Sequence, residues 1–224
     1  MRIRPLDRRD YRTLPSVFWS GTVVKRVEQR VKKTTVVLFR IERTPNITPV
    51  PDSKPELHLM LGNPDLYRGK GFILHDGNRW SEVGREPTAS FNCHTYSLGE
   101  RIGLTPEDWV EGEPTNLSLD TSPMEILLSV YFKLQKTLKC SEASSLISDP
   151  DLQAGDIVSF TYTRSHWGVC HLHSGQVKLV NGENWLASKF YIGRLVVTPI
   201  AEALSHYPQA TAIRIYRFLG TQIT

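Results

Sequence analysis

The chain has 224 residues, 40% hydrophobic and 22% charged, a globular composition large enough for one domain with an extension. No apolar run approaches the length needed to cross a bilayer. Three cysteines (Cys93, Cys140, Cys170), with no CxxC among them, argue against a disulfide scaffold and fit a reducing compartment.

The net charge of +4 is unevenly spread. Residues 1–43 hold twelve Lys/Arg against four Asp/Glu, a balance of +8, which leaves −4 for the remainder. Such a segment suits either an acidic partner or anionic polymer, or a solvated basic face of a β-hairpin. Met1–Asp10 is charged and lacks the apolar stretch of a secretory signal, so the expectation is a cytoplasmic protein, or one exported by a signal-independent route.

In chain order, residues 1–16 read as an irregular arm. Val-rich alternation from Val17 to Glu42 predicts a hairpin turning at Lys32-Lys33. The four prolines of 44–55 mark a loop, and Leu57–Leu61 a short strand. A second hairpin is expected over Gly71–Trp80, because Asp76-Gly77 suits a type I′ turn. Residues 92–102 read as a helix, capped by Ser90 or Asn92 and ended by Gly103. Thr105–Thr121 reads as loop. Ser122 and Pro123 open the clearest helix, with Met124, Leu127, Leu128, Tyr131, Leu134 and Leu138 on one face. Ser141–Pro150 is a polar connection. Strands follow at 155–160, 165–172, 176–180 (after a turn at Ser174-Gly175), 194–197 and 212–218. This order predicts an α+β architecture, with residues 1–90 a β-rich basic extension and 91–224 the main domain.

Cys93 stands in the first turn of its helix. Unpaired backbone N–H groups and the positive end of the helix dipole there favour the thiolate. Taken alone, a lone cysteine reads as readily as a small buried core residue.

The combination of Cys93 opening a helix, then Leu152-Gln153-Ala154-Gly155-Asp156-Ile157-Val158-Ser159-Phe160, then His166-Trp167-Gly168-Val169, resembles the papain-like NlpC/P60 and CHAP amidases and peptidases. The resemblance covers about 92–185. It implies a papain-like core in which a nucleophile helix packs on an antiparallel sheet, no cofactor and no metal, and cleavage of an amide through a Cys93 acyl-enzyme. His166 would be the base and Asn181 the orienting third residue, with Glu183 its rival. The backbone N–H of Cys93 would hold the oxyanion, with Asn92 and His94 as support and Trp167, Gly168 and Trp185 along the cleft. Peptidoglycan stem peptides are the leading substrate class. Gly155-Asp156 reads as a turn device.

Strand alternation places His166, Gly168 and Cys170 on one face and Trp167, Val169 and His171 on the other. The cluster His166, Cys170, His171 and His173 raises zinc as an alternative, but alternation sends His171 and His173 away from the other two unless a bulge intervenes. Two further readings stand beside the hydrolase. One is a thiol transglutaminase or deamidase acting on protein glutamine, which shares the Cys, His, Asn/Asp order. The other is a non-catalytic binding protein that uses the basic N-terminal segment.

Overall fold

The computed structural model describes residues 2–4, 23–31, 34–43, 72–74, 76–85, 91–114, 121–164, 168–190 and 195–220. Across these the chain forms two antiparallel sheets and a few short helices, an α+β fold. The first sheet runs β1 (Arg2–Arg4), β2 (Val23–Val31), β3 (Thr34–Arg43) and β5 (Asp108–Trp109). The second has the order β4 (Phe72–Ile73), β10 (Leu195–Pro199), β9 (Glu183–Lys189), β8 (Gly168–Val180), β7 (Ile157–Arg164), β11 (Ala212–Phe218) and β6 (Phe132–Lys139). The helices are α1 (Arg79–Val83), α2 (Cys93–Ile102), α3 (Pro123–Tyr131) and α4 (Ile200–Ser205), with a 3-10 helix at Cys140–Ser148.

The large sheet is covered on both faces. On one, α2, α3 and the first sheet close a core of Val27, Leu38, Leu98, Met124, Leu127 and Tyr216. On the other, α4 and the 3-10 helix close a second core around Phe160, Val177, Leu186, Ile213 and Ile215. Adjacent residues of one strand split between the two cores, as with Ile157 and Val158, because successive side chains point to opposite faces. Each sheet draws a strand from across residue 90: β4 pairs with β10, and β5 with β3. Arg40 ties that second junction, with Nε and Nη2 donating to Asp108 Oδ1 at 2.9 and 2.7 Å.

Several expected elements take another form. Asp76-Gly77 does not turn a hairpin. Asn78 instead caps α1 by accepting from Ser81 N at 2.9 Å, and β4 finds its partner in β10. The long helix from Pro123 stops at Tyr131, and Phe132–Lys139 is strand. Pairing with β11 over seven positions outweighs the helix propensity that the Leu, Lys and Gln residues give that segment. Residues 165–172 and 176–180 are not two strands, because β8 runs unbroken through Ser174-Gly175 and turns at Asn181-Gly182. Gly175 is there for close approach: a Cβ would lie 2.5 Å from the Ala187 carbonyl oxygen. The polar connection at 141–150 is largely the 3-10 helix, anchored by the buried Leu146. Arg2–Arg4 is a strand, while the rest of the expected arm, the Lys32-Lys33 turn, the 44–55 loop and the 57–61 strand lie outside the described residues. No helix among the described residues is long and apolar enough to cross a membrane.

Candidate active site

The cysteine helix forms where its sequence directs. Asn92 has extended backbone geometry, and its side-chain oxygen accepts from Thr95 N and Thr95 Oγ1, both at 2.9 Å. Its amide nitrogen donates to the Val110 carbonyl at 2.7 Å, pinning the helix start to the 108–113 segment. Gly103, at φ 73°, ends the helix in the left-handed region that glycine tolerates. Gln176 of β8 donates to the carbonyls of Tyr96 and Ser97, and Ser174 Oγ lies 2.7 Å from Ser97 Oγ, so α2 is bolted to the middle of β8.

Cys93 thereby lines a cavity of about 200 Å³ with His94, Trp109, Glu111, Gly112, His171 and Tyr207. It is 7% exposed. Burial pushes its thiol up to about 11, although the backbone N–H groups of Ser174, His94 and Cys93 and the amine of Lys189 all act downward. The resting nucleophile is therefore a neutral thiol that needs a proton acceptor. Glu111 was not singled out in the sequence, where it lies in an irregular stretch. Burial lifts its carboxyl to about 7; the Trp109 indole donates to its Oε1 at 2.9 Å, and neighbouring Glu113 adds to the rise.

The histidines divide sharply. In β8 the ladder shifts register: His173 pairs with Phe160 and His171 with Thr161, leaving Leu172 as the extra residue of a bulge. His171 and His173 were expected on one face and lie on opposite ones. His171 faces α3, its Nε2 2.6 Å from Glu125 Oε2 and its Nδ1 2.8 Å from Ser159 Oγ. Burial holds its pKa down against the pull of Glu125. His173 turns to the other core and packs against Phe190 and Tyr207 at 4.8 and 4.6 Å between centroids, with Nδ1 2.8 Å from Tyr207 Oη. The bulge thus separates these side chains, and among the described residues no three His, Cys, Asp or Glu side chains gather as a metal site. His94 lines the cavity as a supporting wall, its Nδ1 2.9 Å from Ser174 Oγ. Burial drives its pKa to about 3, so it is neutral.

Of the remaining expected site residues, His166 and Trp167 lie outside the described residues. Gly168 opens β8 with φ 67° and is exposed. Asn181, at φ 51°, and Gly182 form the exposed turn between β8 and β9, and Glu183 begins β9 at its exposed end, accepting from Trp185 Nε1 at 3.2 Å. Trp185 packs against Phe72, 6.1 Å between centroids. None of these four lines the Cys93 cavity. The β9 residue brought to Cys93 is Lys189, fully buried, with its Nζ 5.1 Å from the Phe91 ring centroid. Gly155 and Asp156 are structural, as expected: Asp156 accepts from Gln153 N and from Arg217 Nε and Nη2 at 2.7–2.9 Å. Cys170 is buried, and Cys140 Sγ lies 3.4 Å from the Ala210 carbonyl.

No family model and no curated protein matches the chain. Among solved structures it is similar to an N-acetylmuramoyl-L-alanine amidase from Bacteroides uniformis, at 23% identity and a TM-score of 0.30, over 42% of this chain and 39% of that one. It is similar also to a protein from Bacteroides fragilis provisionally named a xylanase, at 25% identity and a TM-score of 0.30, over 38% of this chain and 36% of that one. The chain thus spans about two fifths of either structure, and likeness at this level carries no argument about function.

Proposed function

We propose that the protein is a cysteine-dependent amide hydrolase acting through Cys93. The observation that carries this reading is the sulfur itself. It sits at the start of α2 and opens onto a cavity with room for a peptide group, and the backbone N–H groups of Ser174, His94 and Cys93 favour its thiolate. In the reaction, the thiolate attacks the amide carbonyl and those N–H groups steady the oxyanion. The C–N bond then breaks, the departing nitrogen takes a proton, and water cleaves the thioester. The layout of a cysteine-headed helix on an antiparallel sheet agrees with the papain-like core that the sequence resemblance implies. That resemblance is also what favours peptidoglycan stem peptides as substrate.

Two groups stand as the acceptor of the Cys93 proton. His166 is the one implied by the resemblance. Glu111 lines the same cavity, with a carboxyl balanced near neutral pH.

The test is digestion of purified muropeptides by the wild type and Cys93→Ala, with products separated and weighed. New stem-peptide fragments from the wild type alone support the proposal. Equal cleavage by Cys93→Ala, or none by either, overturns it.

A further inference from the structure

The ladder between β8 and β9 fixes which β9 side chains share a face with α2. Gln176 pairs with Ala187, and Lys189, two residues further along β9, lies on the same face as Ala187. On β8, the Ser174 hydroxyl lies 2.9 Å from His94 Nδ1 and 2.7 Å from Ser97 Oγ, and its backbone N–H favours the Cys93 thiolate. Lys189 is 0% exposed, and its ammonium-bearing end reaches the Phe91 ring, two residues before Cys93. A fully buried lysine is rare, since its charge must be taken out of water. Here it is spent beneath the first turn of the cysteine helix.

We infer that Lys189 is a positioning residue for Cys93, a buried amine beneath the sulfur that holds the thiolate once the proton has left it. The inference rests on the Cys93 hydrolase reading and adds to it a group outside the cavity lining. Besides Cys93, the titratable side chains that line the cavity are His94 from α2, His171 from β8, Glu111 and Glu113 from the 108–113 segment, and Tyr207 just after α4, with Lys189 behind from β9. His94 is neutral, His171 is bound to Glu125, and a charged Glu111 or Glu113 would oppose a thiolate. Lys189 is the group whose charge favours one. The influence is reciprocal: the amine lowers the thiol, and the thiol raises the amine, whose own pKa burial drives down to about 7.

The test is the rate of iodoacetamide alkylation at Cys93, read by mass spectrometry from pH 6 to 10, in the wild type, Lys189→Met and Lys189→Gln. The variants are expected to shift the Cys93 profile upward by about one pH unit, with about tenfold slower alkylation at pH 8 and Cys140 unchanged in the same samples. Superimposable Cys93 profiles overturn the inference. If neither variant folds, 13C-lysine spectra of the wild type and Cys93→Ala decide it. Loss of the thiol should lower the midpoint of the Lys189 ε-methylene titration, and coincident midpoints would refute the pairing. Neither readout involves substrate, so failure here leaves the amide-hydrolase reading standing, and failure to cleave muropeptides leaves the pair standing.

Discussion

His171 and His173, two residues apart on one strand, face opposite sides of the large sheet. His171 meets Glu125 across the Cys93 face, and His173 lies in the aromatic stack of the other core. Leu172, the extra residue of the bulge, is what separates them. Because Glu125 is also held by Arg214 at 3.6 Å, His171→Ala should be tolerated as a fold while losing a short, charge-assisted bond. The expected cost is about 1.5–3 kcal/mol in urea unfolding. His173→Phe keeps the ring contacts but leaves the Tyr207 hydroxyl without this partner, and should cost about 1–3 kcal/mol.

Asn92 organises the nucleophile turn through three hydrogen bonds, two to Thr95 and one to Val110. Asn92→Ala leaves the Thr95 N–H and the Val110 carbonyl without those partners. We expect about 1–3 kcal/mol of destabilisation and a larger proportional loss of kcat than of substrate affinity, because the sulfur shifts relative to its donors. Asn92→Asp retains the acceptor and should recover much of the helix cap, while still losing the bond to Val110.

The buried Lys189 sets a sign for stability against pH. Its folded pKa of about 7 lies below its ordinary 10.5, so between those values the unfolded chain binds a proton that the fold does not. Stability therefore rises with pH through that window. Cys93, lifted from 9 to about 11, works the other way, and its contribution is lost between pH 9 and 11. The clean interval for Lys189 is thus pH 7 to 9. Lys189→Met should flatten the rise there and increase stability at pH 7 by roughly 1–3 kcal/mol, as measured by urea midpoints at each pH.

Much of the nucleophile end was legible because its signals are local. Asn92, Cys93 and Gly103 specify a helix start, a thiol and a helix stop within twelve residues, and each takes the form its chemistry demands. The opposite wall was not legible, because its logic is long-range. Strict alternation cannot foresee the Leu172 bulge, and Ser174-Gly175 looks like a turn until Ala187 is seen pressed against it. Phe132–Lys139 is strand only because β11, some eighty residues later, offers it a ladder. Lys189 carries no sequence signal at all, since only the β8–β9 register brings it beneath Cys93.

The identity of the proton acceptor separates on two variants. Glu111, balanced near pH 7 by burial, would lose its ability to accept in Glu111→Gln. If it is the acceptor, kcat should fall by about 100-fold or more, with the rise of rate near pH 7 abolished and His166→Ala mild. If His166 is the acceptor, the two effects exchange. Steady-state rates from pH 5 to 9 on one muropeptide distinguish the cases.

The most direct measurement is the acyl-enzyme itself. The protein is mixed with a stem tetrapeptide, quenched in acid within a turnover and digested, and the Cys93 peptide is weighed. The account predicts a mass increase equal to the acyl half of the substrate, confined to Cys93 and absent from Cys93→Ala. Cleaved product with an unmodified Cys93 peptide and undiminished turnover in Cys93→Ala would contradict it.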